Sequence, residues 1–424
     1  MAAPVVSSIS PNQGPMSGGN TVTLTGTGFS GATAVRFGGN SAISFTVFGS
    51  TRIVAVVPSG AGVVNVTVTT SEGTSAQAVT YTYVAAPSLS SLSPDRGPVS
   101  GGIVVTLTGA NLSSATAVRF DGIAALSFTV VSATQISAVA PAHAAGSAAV
   151  TVTTVGGTSN SLTFSYVLEP SVTGLTPAQG PASGGTVVTL TGANLSGATA
   201  VRFDGIAAPT FTVVSATEIS AVTPAHTAGS AAVTVTTPGG TSNPENPSMY
   251  FYYAAVPSLI SVTPTSGNTA GGTVVTITGT GLSGATAVNF DGIAAASFAV
   301  GSSTVLTAVT PAHAAGAAAV TVTTPGGTGN PLNYDYFDAP TLSAVTPTLG
   351  PTYAGNTVTL TGTSLTTTTD VRFDGAAASF TVLSPTEVTA VAPAGSAGPA
   401  TVTVVTTAGV SNGLTYTRVA RPGI

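Results

Sequence analysis

The chain contains no cysteine, no tryptophan and no lysine. Without cysteine there is no disulfide framework, no thiolate zinc site and no cysteine nucleophile, and the redox compartment stays open. Charge of either sign is scarce: 8 arginines and 13 acidic residues make up 5% of 424 residues, against about a quarter in an ordinary soluble domain. The net balance of −5 argues against a nucleic-acid partner. Long hydrophobic runs are also missing, because threonine, serine or glycine interrupts every valine stretch, so no membrane-spanning helix is expected. The opening residues Met1-Ala2-Ala3-Pro4 lead straight into a strand pattern, and no secretory signal is read there. If the protein acts outside a cell, either a signal was removed or export does not use one.

Glycine (51), proline (28) and a hydrophobic fraction of 43% are what the chain has instead, enough to fill cores. Aligned on itself, the chain shows a proline followed three residues later by glycine at Pro11/Gly14, Pro94/Gly97, Pro177/Gly180, Pro264/Gly267 and Pro347/Gly350. Phe37, Phe120, Phe203, Phe290 and Phe373 each follow that proline by 26 residues. The steps of 83, 83, 87 and 83 residues define five copies, taken as residues 1–86, 87–169, 170–256, 257–339 and 340–424. The four extra residues of the third copy fall at Asn243 to Pro247, a turn-rich string expected to lengthen one loop.

Within a copy, short runs of Val, Thr, Ile and Phe alternate with Gly, Pro, Ser and Asn. Val150-Thr151-Val152-Thr153 has the period of two that sends valines into a core and threonines to water. About seven such strands per copy predict an all-β chain of five immunoglobulin-like sandwiches strung as an elongated rod. The residues Ile9-Ser10-Pro11 to Gly14, Ser17-Gly18-Gly19, Val22-Thr23-Leu24-Thr25-Gly26, Gly28-Phe29 and Val35-Arg36-Phe37 resemble the IPT/TIG family. The match recurs in all five copies, the fifth departing only with Ala354-Gly355-Asn356 where others carry paired glycines. The resemblance implies the sandwich fold. It leaves function open, since the family serves in plexin-like receptors, Rel-type transcription factors, starch-processing enzymes and bacterial surface or phage arrays.

Several motifs invite a chemical reading. Gly26-Thr27-Gly28-Phe29-Ser30-Gly31 and its counterpart at Gly279 spell G-x-G-x-x-G, but a strand follows rather than a helix, and Asn111, Asn194 and Ser364 break the pattern elsewhere. A tight turn with positive φ is expected, not a nucleotide site. His143, His226 and His313 occupy one loop position in three copies and are read as solvated. Arg119/Asp121, Arg202/Asp204 and Arg372/Asp374, two apart, are read as same-face surface pairs. Asn65, Asn111 and Asn194 head glycosylation triplets, meaningful only in a eukaryotic secretory route. Tyr250, Phe251, Tyr252 and Tyr253 beside the extra loop are read as a closing strand packed on the next bead or, alternatively, as an exposed contact patch. Arg418, Arg421 and Ile424 align with the internal linker Tyr83 to Leu89, which suggests an end joint through which copies stack head to tail.

No copy offers a nucleophile with a base or a pair of carboxylates in one pocket, so no enzyme, metal or cofactor is expected. The copies carry charges of +1, −1, −2, −3 and 0. The expectation is a structural rod that self-associates in a filament, fibre or virion-like particle, or an extracellular or cell-surface setting. The alternative is an adhesin or binding module that recognises a glycan or protein, with the third copy favoured.

Overall fold

The computed structural model describes residues 2–76, 79–244 and 249–421. In the first repeat the strands are β1 (Val5–Ser10), β2 (Gln13–Pro15), β3 (Thr21–Thr27), β4 (Ala34–Phe37), β5 (Asn40–Ser41), β6 (Ser44–Phe48), β7 (Arg52–Val56), β8 (Gly62–Thr70), β9 (Gly73–Thr74) and β10 (Thr80–Val84). Seven of these are the expected strands, and β2, β5 and β9 are additions of two or three residues too short to show a periodicity. One sheet runs β1-β3-β7-β6 and the other β2-β10-β8-β4-β5, with β9 paired to β8. All pairings are antiparallel except β2 with β10. The same order recurs in the other four repeats.

The anchoring prolines Pro11, Pro94, Pro177, Pro264 and Pro347 each follow a cis peptide bond, where the chain leaves one sheet and joins the other. Alternation places the core as expected: Val150 and Val152 are fully buried, whereas Thr151 and Thr153 lie on the outer face. Each repeat has its own cluster, built in the second around Leu107, Phe120, Ile136, Val150 and Phe164. Phe120 meets Phe164 edge to face at 5.5 Å, the geometry aromatic quadrupoles favour. No core cluster crosses from one repeat to another among the described residues.

The accessible surface supports the same division. A single globule of this mass would expose about 15,000 Å², and five separate beads about 22,500 Å². The chain exposes 19157 Å², which leaves on the order of 800 Å² buried at each joint. The repeats are thus independent cores joined by small contacts.

Candidate functional site: loop clusters and joints

The G-x-G-x-x-G segments are turns. Gly28 and Gly281 have φ of 75° and 69°, and Asn111, Asn194 and Ser364 hold the same left-handed conformation at 59°, 57° and 59°. Glycine or asparagine tolerates that region with little penalty. In repeats two and three the asparagine has a further use. Asn111 Nδ2 donates to Ala86 O at 3.0 Å and Asn194 Nδ2 to Glu169 O at 2.9 Å, so each side chain ties its repeat to the linker carbonyl before it.

The three histidines are not solvated. His143 keeps 16% of its side chain exposed and stacks on Tyr166 with centroids 4.8 Å apart. Its Nδ1 lies 2.7 Å from Ala144 O and must carry a proton there, because a carbonyl cannot donate. Its Nε2 faces Asp121 Oδ2 at 3.6 Å. His226 and His313 repeat the arrangement with Tyr253 and Asp204, and with Tyr336 and Asp291. Sequence position could not show this, since the tyrosine that covers the ring lies 23 residues further on, or 27 in the third repeat. Burial pushes the Tyr166, Tyr253 and Tyr336 hydroxyls up to about 12.

The expected Arg119–Asp121 pairing on one strand face does not form, nor does Arg202–Asp204. The strand ends at Phe120, and Asp121 has a φ of 51°, which turns its carboxylate back toward His143. Arg119 and Arg202 instead donate to Gly122 O and Gly205 O at 2.8 and 2.9 Å. Arg372 pairs with Asp370 at 2.6 Å, leaving Asp374 to a different partner.

That partner is Arg418. Read as part of a terminal linker, Arg418 instead lies inside the last strand (Leu414–Val419), 5% exposed, at the place held by Tyr336 in the fourth repeat. Its guanidinium sits over Gly395, the position of His313, and reaches Asp374 Oδ2 at 3.8 Å. The aspartate, wherever present, therefore faces a nitrogen of His or Arg, and the first repeat lacks both partners, with Gly38 and Gly60 in their places. Arg418 Nε is buried without a hydrogen-bond partner among the described residues. Replacing Arg418 by tyrosine, the first repeat's combination with glycine, is expected to stabilise the fifth repeat by about 1–3 kcal/mol. Thermal melts of the Arg418→Tyr chain check this, and a lower midpoint for that repeat would contradict it. Arg421 is exposed, and Ile424 lies outside the described residues.

The aromatic string is the closing strand of its own repeat (Tyr250–Ala254). Phe251 and Tyr253 are fully buried in that repeat's core, so neither packs on the next bead nor forms a contact patch. Period-two geometry leaves only Tyr250 and Tyr252 facing outward, 40% and 51% exposed. Most of the neighbouring inserted string, residues 245–247, lies outside the described residues.

Glycine recurs at the first three joints. At Gly156, Gly239 and Gly326 an added Cβ would overlap a linker carbonyl, Ala85 O, Leu168 O and Ala255 O respectively. The joint between repeats four and five is set differently. Ala408 stands where the glycine would be, its carbonyl accepts from Asn268 Nδ2 at 2.6 Å across the joint, and Ser364 replaces the tethering asparagine. A cleft of about 420 Å³ opens there, lined by Asp335, Phe337 and Asp338 on one side and Ser364, Thr366 and Thr367 on the other. None of these six was singled out from the sequence. The available signal was comparison among copies, for Asp335, Phe337 and Asp338 replace Ser165, Val167 and Leu168 of the second repeat.

A family model described as IPT/TIG domain matches residues 4–83, 87–166, 170–250, 257–336 and 340–417. Among curated proteins the chain is 28% identical over 302 residues to Fibrocystin-L of Mus musculus, covering 67% of this chain and 7% of that protein. It is 32% identical over 119 residues to Plexin-A4 of Danio rerio, covering 27% of this chain and 6% of that protein. It thus spans a small part of either relative. Among solved structures, the plexin A4 full extracellular region aligns at 16% identity and a TM-score of 0.30, over 94% of this chain and 48% of that one. With matches in all five repeats, the chain belongs to the IPT/TIG domain family.

Proposed function

We propose that the chain is a non-catalytic spacer, a stiff rod of five beads that self-associates in an extracellular, cell-surface or virion-like assembly. The observation that carries this reading is the construction of the joints. Linkers of a few residues are held by Asn111 and Asn194 side chains and by glycines that let the next repeat touch the linker backbone. Such contacts restrict the angle between beads more than an untethered linker would. Lateral association is supported by the edge strands. Residues Ser297–Val300 are exposed throughout, including Phe298 and Val300, and no charged side chain lies on that strand to oppose pairing. Small-angle scattering is expected to give a maximum dimension of about 150–200 Å for five sandwiches in line. A radius of gyration near the roughly 22 Å of a compact globule would overturn the rod. Sedimentation at rising concentration tests association separately, and a chain that stays monomeric overturns that part.

A second reading, a module that binds a glycan or a protein, is favoured by the open joint. In this reading the site lies between repeats four and five rather than in the third repeat.

A further inference from the structure

We propose that the cleft between the fourth and fifth repeats binds a neutral saccharide. This deepens the second reading above, on which it rests, by assigning the residues and the ligand class.

Three observations single out this joint. First, the array supplies its own comparison. The closing strand ends Thr82-Tyr83-Val84-Ala85 in the first repeat and Ser165-Tyr166-Val167-Leu168 in the second, but Asp335-Tyr336-Phe337-Asp338 in the fourth. Two carboxylates and a large aromatic ring thus enter positions that elsewhere carry small, aliphatic or uncharged side chains. Second, the loop across the cleft, Ser364-Leu365-Thr366-Thr367, replaces Asn194-Leu195-Ser196-Gly197 of the third repeat. The side chain that bonds the linker carbonyl at the second and third repeats is shortened to a serine, and hydroxyls are added. Third, the methyl of Ala408 cannot take the close approach to the linker that Gly156, Gly239 and Gly326 make, and Asn268 holds the altered joint through its bond to Ala408 O. The cleft follows from substitutions on both sides.

Its chemistry selects the ligand. The lining holds no basic side chain, and the fourth repeat has three aspartates with no arginine, which disfavours phosphates, uronates and other anions. The carboxylates accept hydrogen bonds and cannot donate them, so they suit a ligand rich in hydroxyl donors. Thr269 Oγ1 already donates to Asp338 Oδ1 at 3.1 Å and Asn333 Nδ2 to Asp335 Oδ1 at 3.2 Å, which fixes both groups and leaves acceptor capacity. Phe337, 36% exposed, offers an apolar surface for the C–H face of a sugar ring. About 420 Å³ is far more than a bare cation needs and falls in the range of small-molecule sites.

Calorimetric titration of the full chain with maltoheptaose, cellohexaose and mannohexaose tests the assignment, beside calcium chloride and an oligoarginine peptide as alternatives. At least one neutral glycan is expected to bind. Its affinity should fall at least tenfold in Phe337→Val and in Asp338→Ala, substitutions the other repeats already carry and therefore fold with. The double variant Ser364→Asn/Ala408→Gly, which gives this joint the residues of the second and third repeats, is expected to close the cleft and abolish binding while the melting profile stays unchanged. Binding that survives in all three variants would keep the binding-module reading and overturn this cleft. A chain that binds none of the glycans, or only calcium or the peptide, overturns the saccharide assignment.

Discussion

Raising the pH above about 10 is expected to destabilise repeats two, three and four. In each, one core tyrosine hydroxyl, of Tyr166, Tyr253 or Tyr336, is pushed by burial to about 12 from an ordinary value of 10.0. A hydroxyl whose folded value is raised binds its proton more tightly in the native state than in the unfolded chain. The stabilisation is complete below the unfolded value and is lost as the pH climbs from 10 to 12. Two units correspond to roughly 2–3 kcal/mol per tyrosine, a large share of what a domain of this size has. The fourth repeat should lose more, because the Tyr334 hydroxyl is raised by burial as well. The fifth lacks this tyrosine, with Arg418 in its place, and should persist longest. Thermal melts across that window, with tyrosinate absorbance recorded in parallel, read the effect. Midpoints that do not move between pH 10 and 12 would refute it.

Replacing Gly239 by valine is expected to free the joint between repeats two and three while both cores stay folded. An added Cβ at Gly239 would overlap the carbonyl of Leu168, backbone that no rotamer change can move aside. The overlap is with the linker and not with the core, so the melting of the third repeat should shift by less than about 1 kcal/mol. Scattering should show a broader distance distribution, and protease cleavage within residues 167–170 should accelerate severalfold as the Asn194 bond to Glu169 O is lost. The fifth repeat already illustrates the principle, since alanine at the matching position accompanies a joint of different construction. Scattering and cleavage identical to the parent would show that the contact does not hold the joint.

Local patterns decided the architecture. Val-Thr alternation can place its valines only on one face of a strand, and a motif repeated every 83 residues can only be a repeated unit, so the five sandwiches were legible without coordinates. The turn at Gly28 was legible for the same reason, because a residue forced to positive φ leaves its mark in the choice of glycine and asparagine at one position. Burial and pairing of the few ionisable groups were not. His143 reads as a solvated loop residue until the closing strand brings Tyr166 over it, and Asp121 reads as a partner of Arg119 until its left-handed backbone turns it away. Likewise Arg418 belongs to a strand because the ladders with Gly398–Thr406 and Leu349–Pro351 both extend that far. The cleft depended on tertiary structure most of all. Asp335 to Asp338 belong to one repeat and Ser364, Thr366 and Thr367 to the next, and they meet only where two beads join, at a joint that lacks a glycine and an asparagine used elsewhere in the array.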